Sequence, residues 1–273
     1  MTFTDDARID LHLHSTRSDG AFSPEVVIQK AAEAGLDLIA LTDHDLATQS
    51  MVGEHCFGDR TIRVLGGAEI SGVHKGQEFH LLVYFPGDVP TAFQEFCRSQ
   101  CQERAARYDA ARAVLEFADL PAATVDAHLG QRALTRLHLA QALVEGGHAG
   151  HLGEAFGRWL GDRHGNVPKL SLSFIEAIEV ARHNGGLTSW AHPKVEQAEA
   201  HLADFAAAGL TGLEVLRPHL DNRARYRLRK LATRHGLFLT GGSDWHGWGD
   251  ARLGLFRMYG RELGDFRDAL RAA

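Results

Sequence analysis

Ile9-Asp10-Leu11-His12-Leu13-His14-Ser15-Thr16-Arg17-Ser18-Asp19-Gly20 is the stretch whose reading decides the fold. Its first half alternates apolar and polar residues with period two, the period of a β-strand. His12 and His14 therefore project from one face and can share one cation. The turn that follows carries Asp19, a carboxylate within reach of the same point. A single His-x-His strand is a weak motif, because imidazole is also an ordinary hydrogen-bonding group. Its meaning depends on what the rest of the chain delivers beside it.

Working outward, apolar runs recur and a polar candidate follows each. Ser23-Pro24-Glu25 carries the signals of a helix start (a cap, a proline in the first turn and an early acid), and Gly35 marks its end. Residues 37–42 read as a buried strand delivering Asp43-His44-Asp45. Ile62-Arg63-Val64-Leu65 runs through two glycines into Ala68-Glu69-Ile70, and Phe79-His80-Leu81-Leu82-Val83-Tyr84-Phe85 follows closely. Later, Ser173-Phe174-Ile175-Glu176 has capping-box spacing, and the strand at 187–191 ends in His192-Pro193. Gly212-Leu213-Glu214-Val215-Leu216 is a further strand, 222–235 reads as a basic helix with a solvated face, and 237–240 runs into Gly241-Gly242-Ser243-Asp244-Trp245-His246.

Between these halves, 91–170 changes to helical patterns, and strand signals nearly vanish. The expected organisation is a discontinuous barrel, 1–90 with 171–273, carrying a helical insertion at 91–170 that caps the substrate side. About seven strands alternating with helices suit a barrel of parallel strands. No glycine-rich dinucleotide fingerprint or phosphate-loop lysine motif favours an open sheet.

With 273 residues, 44% hydrophobic and 23% charged, the chain can bury a large core and is not disordered by composition. Its formal net charge of -6 argues against a broad phosphate-backbone surface, so no long nucleic acid is expected. A small phosphorylated ligand is compatible, since one pocket can be positive while the whole is negative. Cys56, Cys97 and Cys101 make no disulfide framework and read as idle thiols. No apolar run approaches the roughly 18 residues that span a bilayer, and no secretory leader is legible, so no membrane partner and a cytoplasmic location are expected.

In a parallel barrel the C-terminal strand ends meet on one face, which brings together His12, His14, Asp19, His44, Glu69, His80, His192, Asp244 and His246. Nine ligands exceed the needs of one ion, and two or three divalent ions would use them well, with Glu69 placed to bridge. Imidazole and carboxylate without thiolate suit zinc, manganese or iron.

Taken together, these pieces resemble the polymerase-and-histidinol-phosphatase (PHP) family of metal-dependent phosphoesterases. The matching segments are Asp10-Leu11-His12-Leu13-His14-Ser15, Ser18-Asp19-Gly20, Leu41-Thr42-Asp43-His44, Gly67-Ala68-Glu69, His80, Ala191-His192-Pro193 and Gly242-Ser243-Asp244-Trp245-His246, in family order. The resemblance implies a distorted (β/α)7, TIM-like barrel of the α/β class with a trinuclear centre. By that pattern His12, His14, Glu69 and Asp244 hold one ion, Glu69, His80 and His192 a second, and Asp19, His44 and His246 a third. Asp19 stands where some members have histidine. The implied chemistry is hydrolysis of a phosphate ester by a metal-activated hydroxide, with Asp19, Glu69, Asp244 and His246 as its catalytic residues and no phosphoenzyme.

The helical insertion resembles that of the subgroup acting on small nucleotides, nucleoside 3',5'-bisphosphates or short oligoribonucleotides. Arg136, His138 and Lys169 are the implied phosphate anchors, joined by Arg17 and Arg217. Competing expectations are a histidinol-phosphate phosphatase, a 5'-3' exoribonuclease trimming short RNA, and a non-catalytic metal-binding module. Asp43, Asp45 and His219 are candidate proton donors or supports for the metal-bound histidines. Trp190 and Trp245, flanking two ligand segments, serve either the core or the pocket wall.

Overall fold

The computed structural model describes residues 3–249 and 251–272. Its strands are β1 (Arg8–Leu13), β2 (Leu38–Leu41), β3 (Gly53–Phe57), β4 (Arg60–His74), β5 (Gln77–Phe85), β6 (Leu187–Trp190), β7 (Gly212–Leu216), β8 (Phe238–Gly241) and β9 (Met258–Tyr259). The helices are α1 (Pro24–Glu33), α2 (Thr91–Leu115), α3 (Val125–His128), α4 (Arg136–Glu145), α5 (Leu152–Ala155), α6 (Phe174–His183), α7 (Val195–Ala207), α8 (Asn222–Arg234) and α9 (Gly264–Ala272). The predicted caps form: Ser23 accepts from the Val26 amide at the start of α1, and Ser173 accepts from the Glu176 amide at the start of α6. None of the described helices is long and apolar enough to cross a membrane.

The sheet runs in the order β8-β7-β6-β5-β4-β2-β1-β9, with β3 beside β4. Seven of these strands make the barrel wall, which nearly closes where the chain after β8 returns to β1. There Leu13 bridges Trp245 in parallel register, and the His14 amide donates to the Trp245 carbonyl at 3.0 Å. Gly242 is required at this seam, because a Cβ on it would lie 2.5 Å from the His12 backbone nitrogen. Strand β9, antiparallel to β1, and strand β3, antiparallel to β4, are additions that periodicity does not announce.

The all-parallel expectation fails at β5, and this is the distortion of the barrel. β5 runs antiparallel to both β4 and β6. The cause is the two-residue turn Lys75-Gly76, whose left-handed φ values of 47° and 77° match a tight hairpin. Reversal carries residues near the start of β5 to the end of the barrel where the other strands finish. His80 accordingly pairs across from Ser71, two residues beyond Glu69.

The main core lies outside the sheet beneath the helices and contains Phe79, Phe93, Phe174, Trp190 and Phe205. Trp190 is therefore a core residue, and Trp245 stacks on Phe22 with centroids 5.7 Å apart. Segment 91–170 has an apolar cluster of its own, including Tyr108, Leu115, Leu139, Leu143 and Leu160. Helix α2 joins the two: its first turns bury Phe93 and Cys97 against the barrel, and its last bury Ala111 and Leu115 among the other helices.

Candidate metal centre

The strand ends assemble a cluster in which one buried carboxylate stands at the middle. Glu69, in β4, turns its Oε1 toward His80 Nδ1 at 3.0 Å, His192 Nε2 at 3.1 Å and His12 Nε2 at 3.4 Å. Its Oε2 faces His44 Nδ1 at 3.0 Å and His14 Nε2 at 3.3 Å. Asp244 Oδ1 lies 3.4 Å from His12 Nε2 and 3.3 Å from His14 Nε2. Asp19 faces His246 Nε2 at 3.3 Å through Oδ1 and His44 Nε2 at 3.5 Å through Oδ2. All nine residues expected to converge do so.

Several of these contacts are longer than good hydrogen bonds, which for nitrogen and oxygen run to about 3.2 Å. Donor atoms that share one tetrahedral ion with bonds of 2.0–2.1 Å stand about 3.3 Å apart. His12 Nε2, His14 Nε2, Asp19 Oδ1, His44 Nδ1 and Glu69 Oε2 are buried with no hydrogen-bond partner among the described residues. Such orphans are costly unless something else satisfies them. Three overlapping groups could hold an ion: His12, His14 and Asp244; His44, Glu69 and His80; and His14, Asp19, His44 and His246. The mixed imidazole and carboxylate donor set thus fits divalent metal ions.

Electrostatics lean the same way. Burial alone raises carboxyl pKa values, yet the facing histidines hold Asp19, Glu69 and Asp244 well below the usual carboxylate range. Burial pushes His80 down, but Glu69 and Glu78 outweigh it and lift the imidazole to about 10. His246 is lifted to about 9 against burial by Asp19 and Asp244. His44 goes the other way: desolvation dominates and holds it well below its usual value. The carboxylates are ready as ligands, and cations arriving here would compete with protons on the imidazoles.

Buried carboxylates behind the cluster hold this arrangement, and one of them, Glu214, was not singled out from the sequence. Glu214, buried in β7, accepts from His12 Nδ1 at 3.0 Å through Oε1 and from the His192 amide at 2.7 Å through Oε2. It fixes one ring and one loop together. The readable signal was a charge inside an otherwise apolar strand. Asp43 accepts from the Ser15 amide and from the Ser15 and Ser18 hydroxyls, each at 2.7 Å, so it braces the loop after β1. Asp45 pairs with the buried Arg104 guanidinium and accepts from the Ser71 amide at 2.8 Å. Both aspartates are therefore supports, while His219 lines the mouth of the site with Asp244, His246 and Trp248. Four ligand-end residues, Asp45, His192, His219 and Asp244, adopt positive φ, a strained backbone for non-glycine residues that clusters at functional sites.

A cavity adjoins the cluster on the side of segment 91–170, lined by Asp19, His44, His80, Arg107, Arg136 and Phe156 among others. Of the five expected phosphate anchors, it takes only Arg136. Arg17 lines a separate groove with Cys97, Arg98 and Gln131. His138 Nδ1 accepts from the Thr135 amide at 3.0 Å and closes the cap of α4. Arg217 donates to the Pro193 carbonyl at 2.9 Å, holding the loop that carries His192. Lys169 lies 3.4 Å from Asp162 Oδ1, which also binds Arg136 Nη1 at 2.8 Å, so it stands behind Arg136. Arg107, which the sequence reading left within a helical stretch, reaches the cavity and pairs with Glu78 at 2.9 Å.

The sequence profile of the PHP domain matches residues 10–187. The chain belongs to the PHP domain family. It is 32% identical over 247 residues to the 5'-3' exoribonuclease Rnm of Escherichia coli, covering 87% of this chain and 84% of that one. It is 30% identical over 274 residues to the 3',5'-nucleoside bisphosphate phosphatase of Chromobacterium violaceum, covering 96% and 92%. Among solved structures, a protein proposed to be a metal-dependent phosphoesterase, from Bifidobacterium adolescentis, superposes with a TM-score of 0.76 at 26% identity over 96% of both chains. This PHP protein is a metal-dependent phosphoesterase, in keeping with the donor cluster at its strand ends.

Proposed function

We propose that the enzyme hydrolyses phosphate monoesters of small nucleotides, nucleoside 3',5'-bisphosphates or nucleoside monophosphates. His12, His14, Asp19, His44, Glu69, His80, His192, Asp244 and His246 would hold two or three divalent ions, of the zinc, manganese or iron class. Such ions supply positive charge that acidifies water and offsets the charge developing on phosphoryl oxygens. Glu69 and Asp19 keep the imidazoles in place around the reacting phosphate, while Asp244 and His246 stand at the solvent edge where an ester enters. His219, the one of the three candidate donors that lines the mouth, delivers a proton to the leaving oxygen.

One observation carries the substrate class: Arg107 and Arg136 come from segment 91–170 into the cavity that Asp19, His44 and His80 line. Guanidinium forks suit phosphate recognition, so a ligand with a second phosphate would be held there while the first meets the ions. Segment 91–170 acts in this reading as a cap, with Lys169 supporting Arg136 through Asp162. Short RNA with a 5'-phosphate is a second reading, favoured by the similarity to Rnm. Both place the protein in an intracellular, cytoplasmic setting where such substrates occur.

Phosphate release from adenosine 3',5'-bisphosphate, adenosine monophosphate, a 5'-phosphorylated trinucleotide and histidinol phosphate tests the choice. The bisphosphate should give the highest kcat/KM. Preference for the trinucleotide would install the exonuclease reading, and turnover of histidinol phosphate alone would overturn both.

A further inference from the structure

Away from the strand-end centre, a second set of metal-ligating side chains stands where the tip of the β4–β5 hairpin meets α7. His74 ends β4, and His201 and Asp204 lie three residues apart on one face of α7. Donor atoms of all three fall within 4.8 Å of one another. His74 Nε2 is 3.5 Å from Asp204 Oδ2, near the edge of about 3.3 Å expected between two ligands of a tetrahedral ion. From Glu69 to His74 is an odd number of residues, so the two side chains leave opposite faces of β4, and five residues of strand separate them by about 16 Å.

Two observations point to a ligand. His201 is 9% exposed, and its Nδ1 is buried without a hydrogen-bond partner among the described residues; His74 Nε2 is in the same condition. Aromatic packing explains where the rings are: His74 meets His201 edge-on at 5.3 Å, Phe205 packs on both, and Phe79 packs on His201. It does not satisfy the nitrogens. Burial, with His74 and Lys75 nearby, holds the His201 imidazole below its usual pKa, in the neutral form a metal requires. Lys75 Nζ sits 2.9 Å from Asp204 Oδ2 and already places a cation on the carboxylate. Its side chain is 61% exposed and can move into solvent when a stronger cation arrives.

We propose that His74, His201 and Asp204 form a second divalent-metal site, separate from the strand-end centre, that clamps the β4–β5 hairpin to α7. Two imidazoles and one carboxylate suit zinc or cobalt over magnesium or calcium, and three protein ligands leave a fourth position to water. The clamp is structural: it ties down the hairpin that carries Glu69 and His80.

The test is zinc content per chain after the full-length protein is stripped with chelator, reloaded with zinc(II) and desalted. Asp204→Asn and His74→Ala should each carry one equivalent less than wild type while keeping wild-type phosphate release. Their melting temperatures should also rise less than that of wild type on zinc addition. Asp204 is half exposed, so Asp204→Asn reads the site even where His74→Ala folds poorly. Equal zinc content in wild type and Asp204→Asn overturns the proposal. So does a joint loss of zinc and hydrolysis in Asp204→Asn, which would make these residues part of the catalytic centre.

Discussion

The barrel's strand ends crowd imidazoles and carboxylates into one cluster, whereas segment 91–170 keeps an apolar core of its own and sends cations toward the same space. In the first region the polar groups satisfy one another poorly, and in the second the two arginines that line the cavity are paired: Arg107 with Glu78, Arg136 with Asp162. The contrast separates two jobs. On the proposed function, unsatisfied donors would define what chemistry is possible, and paired arginines at a cavity edge, able to exchange a carboxylate for a phosphate, would define what is admitted.

The deepest cut into that contrast is Glu69→Gln. Five histidines face its carboxylate within 3.4 Å, so the variant should lose metal and about a thousandfold in kcat, with the fold retained by circular dichroism. Near-normal turnover would mean that the strand ends are not the reacting centre. Arg104→Met attacks the join between regions. This α2 residue is 3% exposed, pairs with Asp45 and donates to Ser71 Oγ at 2.7 Å, so its loss strands a buried carboxylate. Denaturant unfolding should show a loss of about 3–5 kcal/mol. A change below 1 kcal/mol would show that segment and barrel are not coupled there.

Glu214→Gln sharpens the picture within the barrel. It keeps the shape but weakens the hold on His12 and the His192 amide, and metal affinity measured with a chelating indicator should fall about 10- to 100-fold. The smallest effect belongs to the second region. Arg136→Ala should raise KM for a bisphosphate about tenfold with kcat within threefold, the sign of a group that binds ground and transition states alike. A fall in kcat with unchanged KM would move Arg136 into the reacting centre and erase the division of labour.

What the sequence disclosed follows the same line. The convergence of the candidate ligands was legible because a strand's period of two and the shared face of barrel strand ends convert sequence position into space with little ambiguity, as His12 and His14 illustrate. Helices of the segment offered no such rule. Arg17 leaves its loop toward a groove beside Cys97, and His138 caps its own helix, because the direction of a loop side chain and the demand of a helix end are set by neighbours far along the chain. Glu214 and Arg104 escaped for the related reason that each serves partners 20 to more than 200 residues away. The family resemblance rested on the strand ends, where the geometry agrees with it. The reversal of β5 was not legible, since Phe79 to Phe85 has the same composition in either direction.

That reversal gives the turn Lys75-Gly76 an importance out of proportion to its length. In most surface loops an inserted residue changes only the loop. Here one extra residue, if absorbed by sliding β5 against β4, would present Phe79 or Leu81 where His80 now stands and turn the imidazole into the apolar layer beneath α6. The hairpin is therefore a length gauge for the active end of the barrel, and lineages of this chain should tolerate insertions after Leu115 far more readily than the addition of a single residue between His74 and Gln77.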